Sequence, residues 1–104
     1  MPEPTFDRDG DPTDETLKTI TDWDVCDPVG LFKFLKAAWH STGTIREPED
    51  NVFEFVTGGW SGNESLISAY QQNYILWSLC WEMIRPGGLF RFEIPENFRR
   101  RDDK

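Results

Sequence analysis

Residues 53–64 have the sequence FEFVTGGWSGNE, which is the most informative stretch of the 104-residue chain for its architecture. Phe53 and Phe55 share one face of an extended segment while Glu54 lies on the other, as in a strand that buries one side. Gly58 and Gly59 suit a sharp turn, because glycine adopts backbone angles that other residues avoid. The stretch therefore predicts a strand that leads through a glycine-rich loop into a helix, which is where small domains often place a binding loop.

The segments before this loop predict a β-hairpin. Residues 44–46 and 52–57 have the composition of strands, and the polar residues 47–51 between them are typical of a hairpin connection. We therefore expect an antiparallel partner for the strand at 52–57.

The segments after the loop predict a long helix and a further strand. Residues 62–84 carry apolar side chains at helical spacing, and residues 74–84 are apolar nearly all round, which predicts burial on more than one side. Residues 89–94 alternate between apolar and charged side chains, so this strand has one wet face. A strand, a helix and a strand in succession predict that 52–57 and 89–94, as neighbours, run parallel with a right-handed crossover.

Two shorter helices are predicted in the N-terminal part. Thr13 suits the cap of a short helix, although the threonines that follow would also suit a strand. Asp27 before Pro28 favours the start of an amphipathic helix that runs to about His40.

Together these elements predict one α+β domain over residues 14–98. Its small mixed sheet of about three strands, a hairpin plus the strand reached by the crossover, packs on a long buried central helix and an N-terminal helix. Residues 1–13 hold three prolines and an excess of acids, from which we expect a flexible acidic tail. Residues 99–104 are predicted to form a charged C-terminal tail.

The net charge of −8 is unevenly distributed along the chain. Residues 1–16 hold six acids and one base, whereas residues 17–104 hold thirteen acids and ten bases. An acidic surface favours basic partners and repels nucleic acid. The weak charge of the body also disfavours a general mimic of DNA.

The sequence shows no motif for a metal, a cofactor or a membrane. Its start is acidic and rich in proline, unlike a signal peptide, and it has no apolar run of the roughly 18 residues that span a bilayer. Cys26 and Cys80 belong to no C-x-x-C pair, so we expect free buried thiols. These features predict a cytoplasmic protein.

The glycine-rich loop is the candidate binding site, and it consists of Thr57, Gly58, Gly59, Trp60, Ser61, Gly62 and Asn63. A purely structural interpretation explains it as well, because Ser61 and Glu64 fit the S-x-x-E capping box of a helix start. Trp60 either folds over the core or serves as an interface anchor. The wet sheet face offers charges to the same partner from Glu54, Arg91 and Glu93, or is simply solvated.

Two further chemistries match this loop less well. Free amides at a helix start bind anions, but a phosphate loop requires a lysine and a hydroxyl where this chain has Asn63 and Glu64, and a carboxylate repels phosphate. Residues 59–63 depart at Asn63 from the G-x-S-x-G elbow of hydrolases, and His40 has no evident orienting acid. We therefore assign no catalytic residue.

The loop with the segments around it resembles small uncharacterised proteins of tailed phages and prophages. The resemblance rests on residues 57–64, the aromatic helix with Trp77 and Trp81, and Arg85, Gly87 and Gly88 before a strand, and it covers roughly residues 50–95. Members of that group often have Arg-Gly-Gly where this chain has Arg85-Pro86-Gly87-Gly88, so we expect a different turn here. The resemblance implies a context rather than an activity.

The function expected from the sequence is that of a small phage-type module that binds or inhibits a host protein, for example a defence protein, in the cytoplasm of the host cell. An exposed aromatic surface would equally serve a homodimer. The alternative is a protein that binds a small anionic ligand or a nucleotide at the amides of residues 58–63.

Overall fold

The computed structural model describes residues 2–86 and 88–99, and in these residues it contains four α-helices, four strands and one short 3-10 helix. Residues 100–104 of the predicted C-terminal tail lie outside the described residues. The elements, in chain order, are α1 (Asp14–Thr21), α2 (Pro28–Ala38), β1 (Thr44–Glu49), β2 (Val52–Val56), α3 (Ser61–Gln72), α4 (Tyr74–Cys80), β3 (Trp81–Arg85), β4 (Leu89–Glu93) and the 3-10 helix Glu96–Phe98.

The α+β class is confirmed, but the predicted mixed sheet of about three strands is wrong. The sheet has four strands in the order β1-β2-β4-β3, and every neighbouring pair is antiparallel. β2 and β4 are neighbours, as expected, but they are not parallel. An extra strand, β3, forms a hairpin with β4 and thereby reverses the direction in which the chain enters β4.

The single long helix predicted over residues 62–84 is also wrong. The helix stops at Asn73, whose φ of −87° and ψ of 78° are not helical, and the same residue then caps α4. Trp81 is already extended, so α4 has only seven residues. A short apolar run suits a helix and a strand equally well by its periodicity. Arg85 consequently ends β3, and Pro86 and Gly88 lie in the connection between β3 and β4.

The N-terminal helices form as predicted. The Thr13 side chain accepts a hydrogen bond from the Thr16 amide and caps α1, and the Asp27 side chain accepts one from the Gly30 amide and caps α2. α2 ends two residues before the predicted position, at Ala38. Thr5 is tied back to α1, because its amide donates to Thr16 Oγ1 at 2.7 Å. The flexibility expected for residues 1–13 stays a prediction.

The predicted hairpin is confirmed, with a shorter connection than residues 47–51. β1 continues to Glu49 and β2 starts at Val52, so the turn is made by Asp50 and Asn51. Asn51 has a φ of 66°, a left-handed conformation that asparagine tolerates better than most residues.

The core lies between one face of the sheet and the helices, and Phe32 of α2 is its centre. The Phe32 ring stacks on Phe53 at 4.7 Å and meets Phe92 at 5.6 Å and Tyr70 at 5.9 Å between ring centroids. Offset and edge-to-face ring pairs of this kind stabilise a core beyond their area of burial. The opposite face of the sheet carries charged side chains, as the alternation in β2 and β4 predicts.

Candidate functional site

The predicted binding loop has the backbone that its glycines indicated. Gly58 and Gly59 have φ values of 68° and 76°, where a side chain would be strained. Gly58 also lies so close to the carbonyl oxygen of Thr42 that a Cβ would overlap with it. Both glycines are therefore required by the turn itself.

Two residues of this loop are buried and make hydrogen bonds within the protein. Asn63 is fully buried, and it accepts a hydrogen bond from the His40 amide at 2.9 Å and donates to the Thr57 carbonyl at 3.1 Å. Thr57 is also buried, and its amide donates to the carbonyl of Gly88 at 3.1 Å. The side chains of Thr57 and Asn63 are thus buried, and their hydrogen bonds hold the loop in place.

Trp60 lies outside the aromatic core and covers the start of α3. Its indole is half-buried and stacks against the His40 ring at 4.3 Å between centroids. The ring also rests on Gly62, where a Cβ would overlap with it. The two predicted alternatives, core lid and displayed anchor, are thus replaced by an intermediate state in which the ring covers one turn of helix and keeps part of its surface in solvent.

The capping box predicted from Ser61 and Glu64 does not form. α3 has Trp60 at its N-cap, no side chain bonds to its first amides, and the Glu64 amide donates to the Trp60 carbonyl at 3.1 Å. Ser61 is already the first helical residue, one position too late for its hydroxyl to reach the third amide. Ser61 is exposed at the surface.

The geometry at the start of α3 leaves little room for an anion and does not bring together the residues of a hydrolytic site. Trp60 covers Gly62, Asn63 is buried, and the Glu64 side chain lies in the first turn. The His40 ring is paired elsewhere, because its Nδ1 atom accepts from the Thr42 amide at 3.1 Å. The anionic-ligand hypothesis nevertheless stays a prediction.

The charged face of the sheet carries three ion pairs that join four residues, one from each strand. Arg46 bonds Glu54 at 2.7 Å, Glu54 bonds Arg91 at 2.8 Å, and Arg91 bonds Glu82 at 2.8 Å. The hydrogen bond from Arg91 lowers the pKa of Glu54, and the bonds to Glu82 and Glu54 raise the pKa of Arg91. We call these four residues the charge ladder.

The predicted interface residues on this face therefore divide into two groups. Glu54 and Arg91 pair with each other inside the charge ladder, whereas Glu93 pairs with Arg99 at 3.0 Å. Charges that are already paired offer a partner less than the sequence suggested, because a new contact must replace an existing one.

A different surface has the exposed apolar side chains that a binding site requires. Tyr74 and Ile75 at the start of α4 are 78% and 63% exposed, the highest values among the large apolar residues described as exposed. The sequence interpretation missed them because it placed both in a buried helix. The signal that would have found them is Asn73, a good N-cap residue that marks a new helix start.

The start of α4 lies beside an acidic connection. The Asn73 side chain donates to the carbonyls of Ile20 at 3.3 Å and Trp23 at 3.1 Å, which joins α4 to the segment between α1 and α2. Asp22 and Asp24 of that segment are exposed. We call Tyr74, Ile75, Asp22 and Asp24 the α4 surface.

An acidic groove of about 590 Å³ opens on the same connection. The residues that line it include Glu15, Lys18, Asp22, Trp23, Asp24 and Asp27. Asp22 already pairs with Lys18 at 3.1 Å. A cation in this groove would therefore chiefly meet the carboxylates of Glu15, Asp24 and Asp27 and the Trp23 indole, which attract positive charge. The groove and the α4 surface share Asp22 and Asp24.

The described residues also bear on metal binding, on the state of the cysteines and on a membrane span. Within residues 2–86 and 88–99, no three histidine, cysteine or acidic side chains are grouped so that they could hold a metal ion. Both cysteines are free thiols, but only Cys80 is buried as predicted, since Cys26 is exposed. No helix in this part of the chain is long and apolar enough to cross a membrane.

No protein-family model, curated protein or solved structure matches this chain.

Proposed function

We propose that this protein is a non-enzymatic protein-binding module whose α4 surface binds a basic segment of its partner. One observation carries the proposal: Tyr74 and Ile75, the most exposed large apolar side chains of the described residues, directly follow Asn73, which bonds the carbonyl of the groove residue Trp23.

The apolar part of the contact supplies affinity. Burial of an exposed isoleucine contributes about 1.5–3 kcal/mol, and tyrosine is enriched at interface hot spots because its rigid ring loses little entropy.

The acidic part of the contact selects the partner. Residues 3–27 hold nine acids and two bases, which is nearly all of the net charge of −8. Carboxylates around an apolar contact speed association with a basic partner and suppress acidic ones. Lysine or arginine next to apolar residues is therefore the expected composition of the partner segment.

The likeness of residues 57–64 to small phage proteins supports a host protein as that partner, with inhibition as the outcome and the host cytoplasm as the place. The loop of residues 57–63 is the second candidate surface, because Trp60 keeps part of its ring exposed.

The test is a quantitative pull-down from host lysate with four folded baits. These are the unchanged protein, a Tyr74→Ser/Ile75→Ser double variant, Trp60→Ala, and the matched control Phe6→Ser, which removes an exposed aromatic ring elsewhere. We expect a partner on the unchanged protein, Trp60→Ala and Phe6→Ser, and its loss from the double variant. High salt should weaken the interaction, because the acidic contribution is screened.

Other outcomes assign the surface differently. Loss of the partner by Trp60→Ala alone would move the interface to the loop, and a partner retained by every bait would exclude both surfaces. If no bait retains a partner, the binding-module proposal fails.

A further inference from the structure

We propose that a second copy of this chain pairs with the exposed edge of β3, so that two four-stranded sheets join across a two-fold axis. This inference is independent of the proposed partner site, because it uses different residues of the chain.

The two edges of the sheet are not equivalent. At one edge, β1 contains Pro48, which has no amide hydrogen to donate, and its second half is charged. At the other edge, β3 has no proline before Pro86, which follows its last residue, and it presents Trp81, Met83 and Ile84 as well as the charges of Glu82 and Arg85. Proteins usually block an edge strand with proline and charge, because unpaired backbone groups are a template for another strand. Only the β1 edge has a proline inside the strand.

The apolar side chains of β3 extend the core face of the sheet to its edge. Trp81 is opposite Phe92 and Ile84 is opposite Phe90 in the strand register, so both lie on the side of the core. They are nevertheless 44% and 48% exposed. A second copy of β3 added to this edge, with Ile84 opposite its copy, would cover each Ile84 side chain with the other.

The charges of β3 are complementary to themselves. Glu82 is the last residue of the charge ladder at this edge, and Arg91 bonds it from the side of β4. Arg85 lies two residues after Met83, on the far side of the bulge between Trp81 and Met83. In an antiparallel pairing with Ile84 opposite its copy, Arg85 is opposite Met83 and next to Glu82 of the second copy. The two-fold axis forms this ion pair twice. The alternation of charge in the ladder thus continues across the axis.

The contact has few regular residues, since the bulge between Trp81 and Met83 leaves Met83–Arg85 as its regular part. An interface of this size belongs to the small, transient class, and we expect a dimer that dissociates on dilution.

The experiment is analytical ultracentrifugation of the full chain over a roughly hundredfold range of concentration. We expect a monomer–dimer equilibrium for the unchanged protein. Arg85→Glu places like charges beside Glu82, and Ile84→Lys places two cations together at the axis, so each should weaken the dimer at least about tenfold. Arg85→Lys keeps the charge and should keep the dimer. Ile75→Ser, on the α4 surface, should also leave it intact.

Melting curves and circular dichroism show whether each variant is folded. If one of the two disrupting variants does not fold, the other still tests the contact. A protein that stays monomeric throughout the range overturns the proposal. A dimer that survives both Arg85→Glu and Ile84→Lys also overturns it, because the contact would then lie elsewhere. A strand of a different protein on this edge would appear as a β3-dependent partner of a monomeric chain, which contradicts self-association.

Discussion

The Asn63 side chain clamps the backbone of His40: its Oδ1 accepts from the His40 amide at 2.9 Å, and its Nδ2 donates toward the His40 carbonyl at 3.4 Å. The same amide donates to the Thr57 carbonyl at 3.1 Å. One buried side chain thus joins the residues that follow α2 to the loop that precedes α3. This structural role accounts for an asparagine at position 63, where a phosphate loop or a nucleophile elbow has a different residue.

This clamp predicts a large loss of stability in Asn63→Ala. The His40 amide and the Thr57 carbonyl would lose their buried partner, and we expect a loss of roughly 2–4 kcal/mol in the free energy of unfolding. Urea denaturation measures it.

The control is Ser61→Ala, which tests the capping box at the same time. Because Ser61 makes no capping bond, we expect a change within about 0.5 kcal/mol. A loss of about 1 kcal/mol or more in the free energy of unfolding would mean that the capping box forms after all.

The charge ladder predicts an acid-dependent loss of stability. Arg91 lowers the pKa of Glu54 below its usual 4.5, so the stabilisation by Glu54 is fully present above that value and is lost as the pH falls through the lower folded pKa. The melting temperature should therefore fall less steeply with decreasing pH below 4.5 in Glu54→Gln than in the unchanged protein. Glu49→Gln, an exposed carboxylate outside the charge ladder, is the control. Equal slopes in all three proteins would mean that the pairing contributes nothing to folding.

The two thiols should react at very different rates. Burial raises the pKa of Cys80 to about 11, which leaves little reactive thiolate near neutral pH, while Cys26 is exposed. We expect one rapid equivalent with Ellman's reagent in the native protein and a second only after unfolding. Cys26→Ser should remove the rapid phase. Rapid reaction of both thiols would show that the core around Cys80 opens readily.

The anionic-ligand alternative predicts a rise in melting temperature with phosphate or nucleotides. A ligand at about 100 times its dissociation constant would add roughly 2.7 kcal/mol to the free energy of unfolding. Because Trp60 and Glu64 crowd the start of α3, we expect no rise beyond that of chloride at equal ionic strength. Glu64→Gln is the informative variant: if phosphate stabilises only this variant, the carboxylate is the barrier, and if it stabilises the unchanged protein, the alternative is correct.

Local sequence signals predicted much of the fold. Thr13 and Asp27 cap their helices because a short polar side chain reaches the nearby free amides, whatever the rest of the chain does. The alternation around Glu54 likewise predicted which face of β2 is wet, and the glycines at 58 and 59 predicted the turn.

The sequence could not reveal how residues 74–84 divide. Their apolar pattern suits a helix, but a helix over this range would leave β4 without its hairpin partner. The tertiary structure gains the hydrogen bonds between β3 and β4 and leaves Tyr74, Ile75, Trp81 and Ile84 exposed. Asn73 could have marked the start of α4, but the exposure of Tyr74, Ile75, Trp81 and Ile84 could not be predicted from sequence, since exposure depends on what packs against a residue.

By itself, the sequence determined the α+β class, the caps of α1 and α2, the β1–β2 hairpin and the glycine turn, because these depend on contacts between residues close in the chain. Only the tertiary structure decided the antiparallel order β1-β2-β4-β3, the inward role of Asn63, and the exposure of α4 and β3. Each of these depends on contacts between distant residues, such as Asn63 with His40 and Glu54 with Arg91, which periodicity along the chain does not encode.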